Sequence, residues 1–111
     1  MRQGVRLQFY FPEGARHGHM LLHEWLLSQA RTCGIKGASV FRAIAGYGRH
    51  GRVHYGHFFE TAGELPLELR VMTTEDLAEK FLAVLARENV NVFFVRSAVE
   101  YGWTGATPDQ D

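Results

Sequence analysis

Four stretches of this chain alternate apolar and polar residues with a period of two, and two stretches between them repeat at helical spacing. That order of periods leaves few ways to fold. Val5, Leu7, Phe9 and Phe11 alternate with Arg6, Gln8 and Tyr10, as in a strand with one buried face. Pro12 to Gly18 is a turn-rich connector. From His19 the spacing lengthens: Leu22, Trp25, Leu26 and Ala30 fall on one helical face, with His23, Glu24 and Arg31 largely elsewhere. Gly34 is placed to end that helix in a left-handed conformation. A second strand is expected from Ala38 to Ala45. Val53 to Glu60 alternates enough to extend it as a hairpin. Leu65, Leu67, Leu69 and Val71 define a third strand, with Pro66 among its first residues. Thr73 and Asp76 suit the start of a second helix, which Leu77, Phe81, Val84 and Leu85 line and Asn89 can stop. Val92 to Tyr101 is the last strand, with Phe93, Val95, Val99 and Tyr101 on one face.

The order β-α-β-β-α-β predicts an α+β, ferredoxin-like sandwich: a four-stranded antiparallel sheet with two helices on one face. The 111 residues make one domain of ordinary soluble composition, 46% apolar and 22% charged. Residues 1–103 are expected to form it, with 104–111 as a C-terminal tail. The strands carry apolar residues in both phases, Phe41 beside Val40 and Phe94 beside Phe93. Two helices can cover one face only, so the other is expected to be buried in an oligomer.

Formal charge is balanced, which removes a basic field for nucleic acid. The single cysteine, Cys33, rules out an internal disulfide and fits a reducing cytoplasm; near a helix C-terminus it makes a poor nucleophile. No secretory leader is evident. The longest apolar stretch, Met20 to Leu27, is interrupted by His23 and Glu24 and is too short to span a bilayer.

The second strand drives into three glycines, Gly46, Gly48 and Gly51, with Tyr47, Arg49, His50 and Arg52 between and beside them and His54 beyond. Glycine lets a backbone approach a ligand closely, and arginine offers a rigid fork of donors for phosphate or carboxylate. Gly46, Tyr47, Gly48, Arg49, Arg52 and His54 are therefore the candidate ligand-binding residues. A hairpin turn with solvated charges has the same spacing. The dinucleotide fingerprint is excluded, because no helix follows the glycines.

The stretches Leu7 to Phe11, Gly34-Ile-Lys-Gly-Ala-Ser-Val-Phe-Arg-Ala-Ile-Ala-Gly-Tyr-Gly48, Arg52-Val-His54, Glu64-Leu-Pro-Leu-Glu-Leu-Arg-Val-Met72 and the helix from Thr74 to Arg87 resemble the PII-like proteins. Within them the chain is most similar to the group called family 190 of the domains of unknown function. The resemblance implies a ferredoxin-like homotrimer that binds a small anionic effector, an adenine nucleotide being the candidate, in clefts between subunits. It also implies control of a membrane transporter or enzyme partner through a loop from Arg49 to about Phe59, and no turnover. Two stretches depart from the signalling PII pattern. Residues 87–92 contain no glycine where a glycine-rich phosphate loop would stand, and Tyr101-Gly-Trp-Thr104 replaces a pair of arginines.

Other residues support weaker readings. His19 and His23, four apart on the expected helix, are candidate metal ligands but lack a third; solvated or interface histidines are the alternative. Arg42, among apolar neighbours, is expected to pair with Glu68 or Glu100. Trp25 reads as core and Trp103 as interface. Two rival functions remain open. One is a small enzyme using His54 or His57 as acid-base beside Tyr47 and Phe58; the other is a metal-responsive trimer of the kind the related CutA family forms.

Overall fold

Pairing of a long first strand with two partners organises the molecule. The computed structural model of the protein describes residues 1–47, 53–55 and 65–106. Strand β1 (Arg2–Pro12) lies between β7 (Pro66–Thr73) and β8 (Phe93–Tyr101), antiparallel to both, and β4 (Ala38–Arg42) joins the free edge of β7. The sheet order is therefore β4-β7-β1-β8. Helices α1 (Leu22–Thr32) and α2 (Glu75–Arg87) both pack on one of its faces. This is the expected α+β, ferredoxin-like sandwich. Two small hairpins are added to it: β2 (Arg16–His17) with β3 (Met20–Leu21), and β5 (Ala45–Tyr47) with β6 (Val53–Tyr55).

Val5, Leu7, Phe9 and Phe11 of β1 and Leu67, Leu69 and Val71 of β7 point toward the helices and are buried. They meet Leu22, Trp25, Leu26 and Ala30 of α1 and Ala78, Phe81 and Leu85 of α2. Phe9 is the centre of this core: it meets Phe81 edge-on and stacks on Phe94, with ring centroids 5.6 Å away in each case.

Local chemistry fixes the helix ends. Gly34, at φ 95°, follows the C-cap Cys33; its N–H donates to the Arg31 carbonyl, and that of Ile35 to Ala30. Asn89, at φ 57°, repeats this Schellman arrangement after α2, with Asn89 N–H to Ala86 and Val90 N–H to Leu85. The Thr74 hydroxyl caps α2 by accepting from the Leu77 N–H at 3.3 Å. The cap is thus Thr74 and not Thr73, whose side chain is buried with the inner face of β7. Helix α1 likewise begins at Leu22, three residues after His19, because residues 16–21 form a hairpin.

Candidate ligand-binding site

One end of the sheet carries the described candidates Gly46 and Tyr47. Cross-strand partners Pro12 and Pro66, and Arg42 and Leu67, place the end of β1, the start of β7 and the end of β4 side by side. Proline has no N–H to continue a ladder, so the sheet stops here. The connections are then tied individually: Glu13 N–H donates to Leu65 O at 2.8 Å, and Ala43 N–H to Pro66 O at 2.9 Å. Arg42 pairs with Glu13 across this end. The expected partners Glu68 and Glu100 are not used, because Arg42 closes β4 at the exposed sheet end and not mid-strand.

Strand β5, which carries Gly46 and Tyr47, rises from the same place. Gly46 stands opposite His54 and Tyr47 opposite Val53 in the β5–β6 pairing. A Cβ at Gly46 would lie 3.5 Å from Pro66 Cγ, so β5 sits directly on the start of β7. Tyr47 presents a largely exposed ring. Gly48, Arg49 and Arg52 lie outside the described residues, as do His57, Phe58, the side chain of His54 and the 49–59 loop apart from the backbone of β6.

Between the end of β1 and the start of β8 lies an open cleft of about 300 Å³, which sequence reasoning missed. Its floor includes Phe11, Leu22, Val90 and Val92, and its rim Arg16, His17, Asn89 and Asn91. One wall is the β2–β3 hairpin. Gly18, at φ 61°, is the first of the two residues between paired His17 and Met20, where a tight hairpin of this kind wants positive φ. Arg16 Nη2 donates to the His19 carbonyl at 2.6 Å across the turn. His17 packs on Trp25, with ring centroids 4.2 Å apart, and places Nε2 3.4 Å from Glu88 at the end of α2. The opposite wall is the α2–β8 connection that Asn89 starts.

His19 lies in the hairpin turn and His23 in the first turn of α1, so they do not share a helical face. Among the described residues no three His, Cys, Asp or Glu side chains form a metal-holding group.

The sheet face away from the helices has its own order. Phe41, Glu68, Tyr10 and Phe93 form one row across the four strands, by successive cross-strand pairing. Glu68 accepts from Arg70 Nε at 2.8 Å and from Gln8 Nε2 at 3.2 Å. The Arg70 guanidinium also lies 4.8 Å from the centre of the Phe41 ring. Burial pushes the Glu68 carboxyl up, but the hydrogen bonds from Arg70 and Gln8 outweigh it and hold the group below the usual carboxylate range. Burial and the neighbouring Glu68 charge raise the Tyr10 phenol. Around this satisfied centre Phe41 is 48%, Met72 50% and Phe93 71% exposed. These residues leave an apolar surface larger than scattered exposure would give.

A four-stranded antiparallel sheet backed by two helices is the fold that this chain shares with solved PII-like proteins. Among solved structures the chain is similar to CPII of Thiomonas intermedia K12, a nitrogen regulatory PII-like protein bound to ADP, AMP and bicarbonate. That likeness has a TM-score of 0.67 at 19% identity, over 92% of this chain and 91% of that one. It is also similar to a proposed PII-like signalling protein of Thermus thermophilus, with a TM-score of 0.57 at 18% identity over 89% of each chain. At such identities the likeness establishes the shared fold. The chain belongs to the DUF190 family (Uncharacterized ACR), whose model matches residues 4–101. A UPF0166 protein of Aquifex aeolicus (strain VF5) is 35% identical over 60 residues, which span 54% of this chain and 57% of that protein's length.

Proposed function

We propose that this protein is a trimeric, ligand-sensing regulator that acts by binding and not by turnover. A small anionic effector, an adenine nucleotide in the leading case, binds near Gly46, Tyr47, Gly48, Arg49, Arg52 and His54 at the boundary between subunits. Differential affinity of the effector for two states of the 49–59 loop then biases its docking on a transporter or enzyme partner. The observation that supports this reading is Gly46 lying against Pro66, at the Pro12–Pro66 end of the sheet. ADP, AMP and bicarbonate are ligands of CPII, the structural relative, which makes them the first effectors to test. The apolar sheet face supports the trimer, because Phe41, Met72 and Phe93 need cover that the two helices do not give. Residues 1–103 are proposed as the regulatory unit and 104–111 as its tail, in a cytoplasmic protein. Among the described residues no helix is long and apolar enough to cross a membrane.

Calorimetry with ADP, AMP and bicarbonate tests this reading. Arg49→Ala is expected to weaken the effector that binds by about 1.5–3 kcal/mol, the scale of one charge-assisted hydrogen bond. Equal affinities would remove Arg49 from the site, and no heat with any of the three would sink the nucleotide reading.

A further inference from the structure

We propose that the open face of the sheet takes up a small inorganic anion against Arg6 when copies of the chain assemble, so that the trimer is anion-linked. This rests on the trimeric reading above and adds the species that completes its interface. Arg6 stands midway along β1 on the face away from the helices, opposite Met72 of β7 and Ser97 of β8. Its side chain is half-buried, and its Nε is closed off from solvent with no hydrogen-bond partner among the described residues. A guanidinium nitrogen in that state has given up water and gained no acceptor in return. Arg6 also forms no ion pair among the described residues, whereas Arg42, Arg70 and Arg96 each do.

The charges of this face do not balance. Between Gly4 and Tyr10, and on the strands paired with that stretch, it carries Arg6, Arg70 and Glu68, two positive charges to one negative. Glu68 is already engaged by Arg70 and Gln8, so Arg6 is the surplus. Every copy brings the same surplus. Packing this face against other copies therefore gathers like charges within an apolar surface, which is costly unless a counterion enters with them. An identical copy offers on this face only the same engaged glutamate, so the counterion comes from solution.

The surroundings of Arg6 suit a small ion. Ser97 interrupts the row of Phe93, Val95 and Val99 on β8, and its hydroxyl makes no hydrogen bond among the described residues. Directly opposed side chains on one sheet face stand about 5 Å apart, so one ion reaches both the Arg6 fork and the Ser97 hydroxyl. On the side toward the strand start, the Tyr101 ring lies across Gly4: a Cβ there would be 2.5 Å from Tyr101 Cε1. An organic body would compete with the neighbouring copy for the apolar surface, and an inorganic ion does not. Six residues of extended strand, about 20 Å, separate Arg6 from Pro12, so this place is distinct from the effector site.

Sedimentation of the full chain in sodium chloride, sodium phosphate and sodium gluconate, at constant pH and ionic strength, tests the assignment. Gluconate is the bulky control. The trimer is expected to persist to about tenfold lower protein concentration in chloride or phosphate than in gluconate, and the better of the two separates halide from oxyanion. Effects of salt on apolar burial in general would survive in Arg6→Gln, so that variant isolates the site: the advantage should fall to about twofold or less. Ser97→Ala should reduce it severalfold. Where dilution does not dissociate the trimer, the thermal unfolding midpoint at fixed protein concentration carries the same comparison. Equal stability in the three salts, or an advantage that Arg6→Gln keeps in full, would overturn the anion site and leave the trimer standing. A loss in Arg6→Gln that is the same in every salt would overturn it too, and give Arg6 a carboxylate of the neighbouring copy instead. Monomers in every salt would overturn both the site and the trimer.

Discussion

Single side chains on the two sheet faces have opposite duties. Phe9 touches Phe81 and Phe94 and is fully buried, so Phe9→Ala should cost about 3–5 kcal/mol through lost burial and an unfilled cavity. Denaturant unfolding measures this, and a loss under about 1 kcal/mol would show that the core can collapse around the gap. Glu68 works through charge. Its folded carboxyl is held below the usual range, so its contribution to stability is complete above the ordinary carboxyl value and disappears as pH falls through the lowered one. Glu68→Gln should therefore flatten the acid side of the stability profile between about pH 2 and 5, relative to the parent protein. Superimposable profiles for the two proteins would assign the acid sensitivity to other groups.

At the scale of elements, termini and turns decide what a segment becomes. The left-handed Asn89 closes α2, so Asn89→Gly should be tolerated, whereas Asn89→Val should destabilise by roughly 1–2 kcal/mol, the cost of that backbone for a residue with a branched Cβ. Thermal unfolding of the pair checks it, and equal midpoints would mean the turn relaxes to another conformation. The helical faces were readable from sequence because their periodicity records burial directly: Leu22, Trp25, Leu26 and Ala30 are the buried residues of α1. The cap of α2 was misplaced by one residue, since Thr73 and Thr74 are chemically alike and only the register against Val5 turns the first inward. The β2–β3 hairpin was missed because two-residue strands have no period; Arg-His-Gly-His, with glycine at the turn, was the available signal. Arg42 met Glu13 because both reach the sheet end, a proximity that their separation of 29 positions hides. The glycine turn was visible as sequence. The cleft at the start of β8 joins residues 10–22 with 89–93, far apart in sequence, and was not.

For the whole molecule, the exposed sheet face carries the assembly prediction. Val95 lies opposite Gln8 on that face, away from the core. Val95→Glu should leave a folded chain and break the proposed trimer into monomers, read by light scattering with circular dichroism as the folding control. A monomer mass for the unaltered protein would remove the trimer from the proposal. A different property follows from the seam between β1 and β8. Arg2 pairs with Tyr101, and a Cβ on Gly102 would lie 3.1 Å from Met1 Sδ, so the two outer ends of these strands touch. A short linker between Gly102 and Met1 would join these two strands covalently without bending either, and the seam between them could no longer open from that end.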